Sequence, residues 1–270
     1  MPILTANNSN RPSFETYEVH FCALLANENK PQSVLKNHYE GCTRRAAEQL
    51  QSHPFWVELK ANIQNWDALY IQETPNVEAL FSGSFEQQAK LNCKTWSSAY
   101  NKAYRKNVLK NPNWPNSPDG DWVSAGTWFN TIGDILRTTL STRYIDGVQF
   151  LAKRLVSLAE KHGLECRNQL QATPEGYYAG HVDIGFDFLI EDLSRTDIQS
   201  KVYVEFQITT QLKQVVKELL HSFYESDRLK SEKDVWQWDY RAPLFDANYL
   251  GHVVHYLEAQ ILKVRERNHE

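Results

Sequence analysis

The segment Lys201-Val-Tyr-Val-Glu-Phe-Gln-Ile-Thr209 constrains this chain more than any other. Val202, Val204, Phe206 and Ile208 alternate with Tyr203, Glu205 and Gln207. This period of two places an apolar and a polar face on opposite sides of one β-strand. A carboxylate in so apolar a strand is costly to bury unless it is paired, bound to a metal or set at a cleft. Glu205, with Gln207 on the same face, is therefore the first candidate for chemistry. Upstream, Glu175-Gly-Tyr-Tyr-Ala-Gly-His181 leads into a second alternating run, Val182 to Ile190. Downstream, a helical pattern carries Lys213, Lys217, His221 and Tyr224.

The rest of the pattern reads as helices around a few strands. Phe14 to about Ile71 is helical, broken by Pro31 and Pro54. Phe85 to about Leu109 reads as one further helix, and Pro112 to Gly126 as a loop with strong turn chemistry. A first strand is expected at Thr138 to Thr142. An amphipathic helix follows from Asp146 to His162, with Val148, Leu151, Leu155 and Leu158 on one face and Gly163 to end it. A strand at Glu165 to Leu170 precedes those starting at His181 and Lys201. Leu212, Val215, Val216, Leu219, Leu220 and Phe223 mark a helix on the sheet; Leu250, Val253, Val254, Leu257, Ile261 and Val264 mark a final one. The order implies an α+β fold with a central mixed sheet. It divides into a helical N-terminal extension (1–80), a core (81–230) and a C-terminal helical segment packed on it (231–270).

At 270 residues, 41% hydrophobic and 23% charged, the chain can bury a substantial core. No stretch is long and apolar enough to span a bilayer, and Met1 to Arg11 lacks an apolar signal core. Cys22, Cys42, Cys93 and Cys166 lie far apart and form no Cys-x-x-Cys pair, which implies free thiols in a reducing, cytoplasmic compartment and no zinc site. A formal charge of −4 argues against broad, sequence-blind nucleic-acid binding.

Lys94, Ser98, Lys102 and Arg105 stand at i, i+4, i+8 and i+11, which gathers them within about a quarter of a helix circumference. Such a stripe suits a polyphosphate, although a charged helix face is more often simply solvated. Asp134, in Ile132-Gly-Asp-Ile-Leu-Arg137, is a hard oxygen donor suited to magnesium, or a turn or capping aspartate. In Gly176-Tyr-Tyr-Ala-Gly-His181, the glycine permits a tight turn, and an exposed Tyr177 offers a π-face on which a base can stack. Stacking needs only the ring, so Tyr177→Phe is expected to be tolerated. His221 reads equally well as a packed histidine. His252 and His255, at i and i+3 on a largely apolar helix, read as packing residues.

Taken in order, these segments resemble the synthetase domain of the RelA/SpoT family, which moves pyrophosphate from ATP to a ribose 3′-hydroxyl. Lys94-Thr-Trp-Ser-Ser98-Ala-Tyr-Asn-Lys102 resembles the family's Lys-x-x-x-Ser-x-x-x-Lys segment, which contacts ATP phosphates. Asp134 resembles its magnesium aspartate, Gly176 to His181 its Gly-Tyr-x-x-x-His acceptor loop, and Glu205-Phe-Gln207-Ile its Glu-x-Gln-Ile-Arg-Thr strand. His221 and Tyr224 resemble the end of its next helix. The chain departs from the family at three arginines. Asn92 stands where one precedes the first lysine, Thr139 takes the place of one after Asp134, with Arg137 arriving early, and Thr209 replaces one in the strand.

The resemblance covers roughly Lys94 to Tyr224 and implies the nucleotidyltransferase-like synthetase fold, with about five strands flanked by helices. It implies magnesium held by Asp134 and Glu205, and ATP on Lys94, Ser98, Lys102, Arg105 and Arg137. It also implies a nucleotide acceptor at Tyr177, His181, His221 and Lys213, with Lys213 or Lys217 standing in for the missing arginine. Glu205, Asp134 and Gln207 form the expected catalytic set, with Glu205 taking or orienting the hydroxyl proton. The His-Asp pair of the family's hydrolase half is absent, which implies a synthetase only: an alarmone synthetase using GDP or GTP, or a toxin-like relative acting on adenine nucleotides or the tRNA 3′ end. An antitoxin or a second copy of the chain are the further partners such a reading entails, and no membrane. Two other classes compete. A magnesium-dependent nuclease would use Asp183 or Asp187 with Glu205-x-Gln207, and a non-catalytic nucleotide-binding module would account for the missing arginines.

Overall fold

The alternating segment forms the central strand of a five-stranded mixed sheet in the computed structural model, which describes residues 11–17, 31–227 and 236–267, and of residues 221–227 and 236 the backbone alone. The strands are β1 (Lys90–Cys93), β2 (Leu136–Thr142), β3 (Cys166–Ala172), β4 (Tyr178–Glu191) and β5 (Asp197–Thr210), in the order β1-β2-β5-β4-β3. β2 runs parallel to β5 with Arg137 opposite Glu205 and Thr139 opposite Gln207, whereas β3 and β4 are antiparallel. The helices are α1 (Gln32–Ser52), α2 (Pro54–Glu73), α3 (Trp96–Tyr104), α4 (Trp128–Thr131), α5 (Ile145–Lys161), α6 (Gln211–Asp227) and α7 (Pro243–Arg267). The fold is α+β, as the pattern implied. Among the described residues no helix is long and apolar enough to cross a membrane, and Cys42, Cys93 and Cys166 are free thiols.

The chain gathers into two compact units that cut across the three consecutive stretches expected from the sequence. One holds the described parts of Met1–Glu48 with Cys93–Ile135 and Asp187–Tyr203; the other holds Gln49–Asn92, Leu136–Phe186 and Val204–Glu270. In the first unit, Tyr39 packs against Trp96, Trp128 and Phe129. The long loop after α3 is ordered by buried amides. Asn107 donates to Val123 O and accepts from Val123 N, and Asn111 donates to Asn116 O. A side-chain amide replaces the ladder such a loop lacks.

In the second unit the apolar face of β5 carries the core. Val204, Phe206 and Ile208 are fully buried, and Phe55 of α2 meets both Phe206 and Phe186 edge to face, at 5.7 and 5.6 Å between centroids. Helix α5 contributes Leu151, Leu155 and Leu158 and packs on α2.

Two expectations change. Phe85 to Leu109 is not one helix: a single 3-10 turn (Phe85–Gln87) is followed by Ala89 at φ 54°, then β1, and α3 begins only after Thr95. The Thr95 hydroxyl accepts from Ser98 N at 3.3 Å, the N-cap that starts the helix there and leaves Lys94 outside it. Helix α7 also docks by a different face. Ala247, Asn248, Val254 and Glu258 are its buried residues, whereas Val253, Leu257, Ile261 and Val264 remain between 44% and 57% exposed.

Phe206→Ala should destabilise the protein by about 3–5 kcal/mol, the range for deleting a buried aromatic side chain between packed neighbours. Denaturant-induced unfolding followed by circular dichroism checks this, and a loss below about 1 kcal/mol would contradict the packing described.

Candidate active site

In the first unit, Lys94 precedes the N-cap of α3, Lys102 lies in its last turn, and Asp134 sits in the turn before β2. The Lys94 backbone is fixed by its N–H, which donates to Ile135 O at 2.8 Å. Lys94 Nζ then donates to Asp134 Oδ2 at 2.7 Å and Lys102 Nζ to Asp134 Oδ1 at 2.8 Å. The three side chains are only 11%, 25% and 16% exposed for Lys94, Lys102 and Asp134. Burial alone would push the Asp134 carboxyl up, but the Lys102 and Lys94 ammonium groups overcome it and hold the pKa at about 2.

The cluster carries two cations on one anion, a surplus of positive charge that favours an anionic ligand. Lys106 extends the same i+4 series and donates to Thr131 O at 2.6 Å; the sequence reading passed over it in favour of Arg105. Arg105 is the C-cap of α3, and Ser98 accepts from Thr95 Oγ1 at 3.0 Å.

Asp134 fits magnesium by donor chemistry: it is ionised, and each oxygen accepts from one lysine, which leaves it a second lone pair. Among the described residues no group of three His, Cys, Asp or Glu side chains gathers as a protein-only cage. Magnesium typically needs only one or two carboxylates, with water and substrate phosphate completing the shell.

The second unit holds a chain of hydrogen bonds whose direction can be worked out. Lys217 Nζ donates to Gln207 Oε1 at 2.8 Å, which orients the amide so that its N–H group donates to the Tyr177 hydroxyl. A carboxylate can only accept, so His181 donates from Nδ1 to Glu205 Oε1, at 2.9 Å. In the neutral tautomer that this bond selects, Nε2 of His181 accepts from the Tyr177 O–H, also at 2.9 Å. Five side chains therefore run in one sense, Lys217 to Gln207 to Tyr177 to His181 to Glu205. Burial and the Glu205 charge push the Tyr177 hydroxyl up to about 12, so it stays protonated and able to donate.

Three sequence-derived candidates stand differently from expectation. Tyr177 is half-buried with its hydroxyl bonded on two sides, so the ring is not the only part in use. Lys213 is turned into the α6–α7 seam, 2.7 Å from Glu258, a buried carboxylate that needs a cation; it is not placed to meet an acceptor phosphate. Lys217, the other candidate, points instead to Gln207. The side chains of His221 and Tyr224 lie outside the described residues. Arg137 is exposed beside Glu205 on the adjacent strand.

A cavity of about 390 Å³ also opens in this unit, and both Asn92 and Thr139 line it. Two of the chain's departures from the family pattern thus converge on one place. The lining there, with Gln88, Ser141, Gln211 and Gln214, is rich in neutral donors and acceptors.

Among solved structures the chain is similar to small alarmone synthetase 1 from Bacillus subtilis bound to its product pppGpp, at 17% identity over 78% of this chain and 90% of that one, with a TM-score of 0.46. The same protein bound to AMPCPP gives 18% identity over 83% and 95%, with a TM-score of 0.46. A GTP pyrophosphokinase family protein from Streptococcus pneumoniae gives 15% over 82% and 94%, with a TM-score of 0.47. No family model and no curated protein matches the chain.

The Asp134 pair has a signature in acid. Its pKa is depressed in the folded state from 3.8 to about 2, so its contribution is complete above about pH 4 and is lost as pH falls through 2. The stability difference between wild type and Asp134→Asn should therefore shrink by about 2 kcal/mol between pH 5 and pH 2, read from unfolding curves at each pH. A difference independent of pH would contradict the pairing.

Proposed function

We propose that the protein is an ATP-dependent nucleotide 3′-pyrophosphokinase, which transfers the β,γ-pyrophosphate of ATP to the ribose 3′-hydroxyl of a guanosine nucleotide. The observation that carries the reading is the hydrogen-bond chain ending on Glu205. It joins the Gly-Tyr-x-x-x-His turn to the Glu-x-Gln strand, two segments separated in sequence that each resemble a segment of the synthetase family. The Lys94–Asp134–Lys102 cluster supports the same reading from the other unit, as an ionised carboxylate set among cations.

In this reading Glu205 is the general base. His181 occupies Oε1, which holds the carboxylate in one orientation and leaves Oε2 to accept the proton of the 3′-hydroxyl. The acceptor oxygen forms a bond to the β-phosphorus as the bond from that phosphorus to the α,β-bridging oxygen breaks, and AMP leaves with the electron pair. Within the first unit, Lys94 and Lys102 are the cations that the family resemblance assigns to the phosphates of ATP. Magnesium bound at Asp134 would supply further charge neutralisation on the polyphosphate. The Tyr177 ring offers a face to the acceptor base, and its hydroxyl steadies His181.

ATP labelled on its terminal phosphates, magnesium and each acceptor in turn test the reading, with GDP, GTP, an adenine nucleotide and tRNA as separate arms. Label should move to GDP or GTP; label on none of the four would reject the pyrophosphokinase. Glu205→Gln should retain less than about a tenth of turnover, a loss above ~1.4 kcal/mol. Tyr177→Phe, against the sequence expectation, should lower turnover by about tenfold, because His181 loses the hydrogen bond at Nε2 that steadies its ring against Glu205. Lys102→Ala should weaken ATP binding by about tenfold in calorimetric titration, and Lys94→Ala should in addition lower the melting temperature, since it strips Asp134 of its most buried partner.

A further inference from the structure

The C-terminal helix α7 buries Ala247 and Val254 but leaves most of its apolar stripe exposed and docks largely through a polar seam, an arrangement that hydrophobic burial alone does not explain. Leu250, Val253, Leu257 and Ile261 are between 39% and 50% exposed, whereas Glu258 is 4% and Asn248 2% exposed. Burying a carboxylate is unfavourable unless its partners are well placed. Glu258 forms an ion pair with Lys213 Nζ at 2.7 Å and accepts from the Thr210 hydroxyl, and Thr210 is the last residue of the strand that carries Glu205. Near the far end of the helix, Arg265 Nη2 donates to Asp146 Oδ2 at 2.5 Å, and Tyr70 donates to Asp146 Oδ1 at 2.8 Å. These contacts set the rotation and height of α7 on the second unit.

What that rotation presents, one to two turns earlier, is a seat for the turn between β3 and β4. A Cβ on Gly251 would stand 2.3 Å from Gly176 O, and one on Gly176, at φ +76°, would stand 2.3 Å from Asn248 O. Backbone meets backbone there, and neither glycine can be replaced without displacement. A carbonyl only accepts, so His252 donates from Nε2 to Pro174 O at 2.9 Å, and in that neutral tautomer Nδ1 accepts from the Tyr178 hydroxyl, at 2.8 Å. The Tyr178 ring lies on His255, 3.8 Å between centroids at 7°. The helix therefore fixes Pro174, Gly176 and Tyr178. The residue between the last two is Tyr177, whose hydroxyl orients His181 and, through it, Glu205.

We propose that α7 is a clamp for the Tyr177 turn, with Gly251 and His252 as positioning residues that hold Tyr177 in register with His181 and Glu205. The catalytic consequence rests on the pyrophosphokinase reading; the mechanical one does not. A helix that merely covered the sheet would bury its apolar stripe, and would not need two glycines in contact or a histidine bonded at both nitrogens.

The test uses the full chain as wild type, Gly251→Ala, His252→Ala, His252→Gln and Tyr178→Phe, each examined by hydrogen–deuterium exchange and thermal melting. Gly251→Ala and His252→Ala should speed exchange in a peptide covering 173–181 by about fivefold or more, with melting temperature lowered by no more than about 4 °C. Tyr178→Phe, which keeps the ring on His255 and removes one hydrogen bond, should give a smaller increase in the same peptide. His252→Gln, which keeps an N–H for the Pro174 carbonyl, should recover more than half of the protection. In transfer assays, Gly251→Ala and His252→Ala should raise the acceptor Michaelis constant by about tenfold while that of ATP stays within about twofold. Unchanged exchange at 173–181 in both Gly251→Ala and Tyr178→Phe would overturn the clamp. Faster exchange with equal shifts in both Michaelis constants would overturn the positioning role. A wild-type protein that transfers to no acceptor would reject the pyrophosphokinase reading alone, while the exchange data still decide the clamp.

Discussion

Everything in the second unit depends on one strand being asked to satisfy two environments. β5 is central in its sheet, and its apolar face, with Val204, Phe206 and Ile208 at zero exposure, is the floor of the core. Glu205 and Gln207 consequently emerge on the opposite face, with neighbouring strands on both sides and little room for water. A carboxylate and an amide so placed must find partners within the protein. The partners are supplied by the β3–β4 turn and strand β4 on one side, through Tyr177 and His181, and by α6 on the other, through Lys217. The same constraint that builds the core thus assembles the hydrogen-bond chain.

The first unit solves a related problem with charge in place of directionality. Asp134 is desolvated enough that burial alone would favour its neutral form, yet two ammonium groups at 2.7 and 2.8 Å keep it ionised. One lysine comes from just before the N-cap of α3 and one from its last turn, so the two flank a single short helix. The buried Lys213–Glu258 pair uses this chemistry for another end, fixing how α7 is rotated. Buried ion pairs contribute less to net stability than to specifying a geometry, and here two of them specify where backbone segments stop.

How far such arrangements can be read in advance differs by residue. Glu205 and Gln207 were legible because period-2 alternation assigns each side chain to a face before any partner is known. Lys94 and Lys102 were legible as one stripe through their spacing, although Lys94 was assigned to a helix that begins only after it; Asp134 was singled out apart from them, and its meeting with both lysines was not foreseen. Thr95 decides that boundary through one side-chain bond to Ser98 N, a local competition that propensity averages over. Helix α7 was legible as a helix and misread as to its face. Most of its regular apolar positions are exposed, and beside Ala247 and Val254 its docking residues are a glycine, a histidine, an asparagine and a glutamate, which no periodicity singles out.

The sequence by itself determined the fold class, the order of the strands and helices from β2 to α7, and the residue types on the polar face of β5, because these follow from side-chain alternation and local turn chemistry over a few residues; β1, a short edge strand, was not among them. Tertiary structure alone decided which polar groups meet. Tyr177 was read as a bare ring, and only the approach of Gln207 and His181 made its hydroxyl matter. Lys213 and Lys217 lie one helical turn apart and were interchangeable on paper, yet one faces Glu258 and the other Gln207. The reason is physical: a hydrogen bond or ion pair is worth little until burial removes water from both partners, and burial is a property of how distant segments pack rather than of either segment.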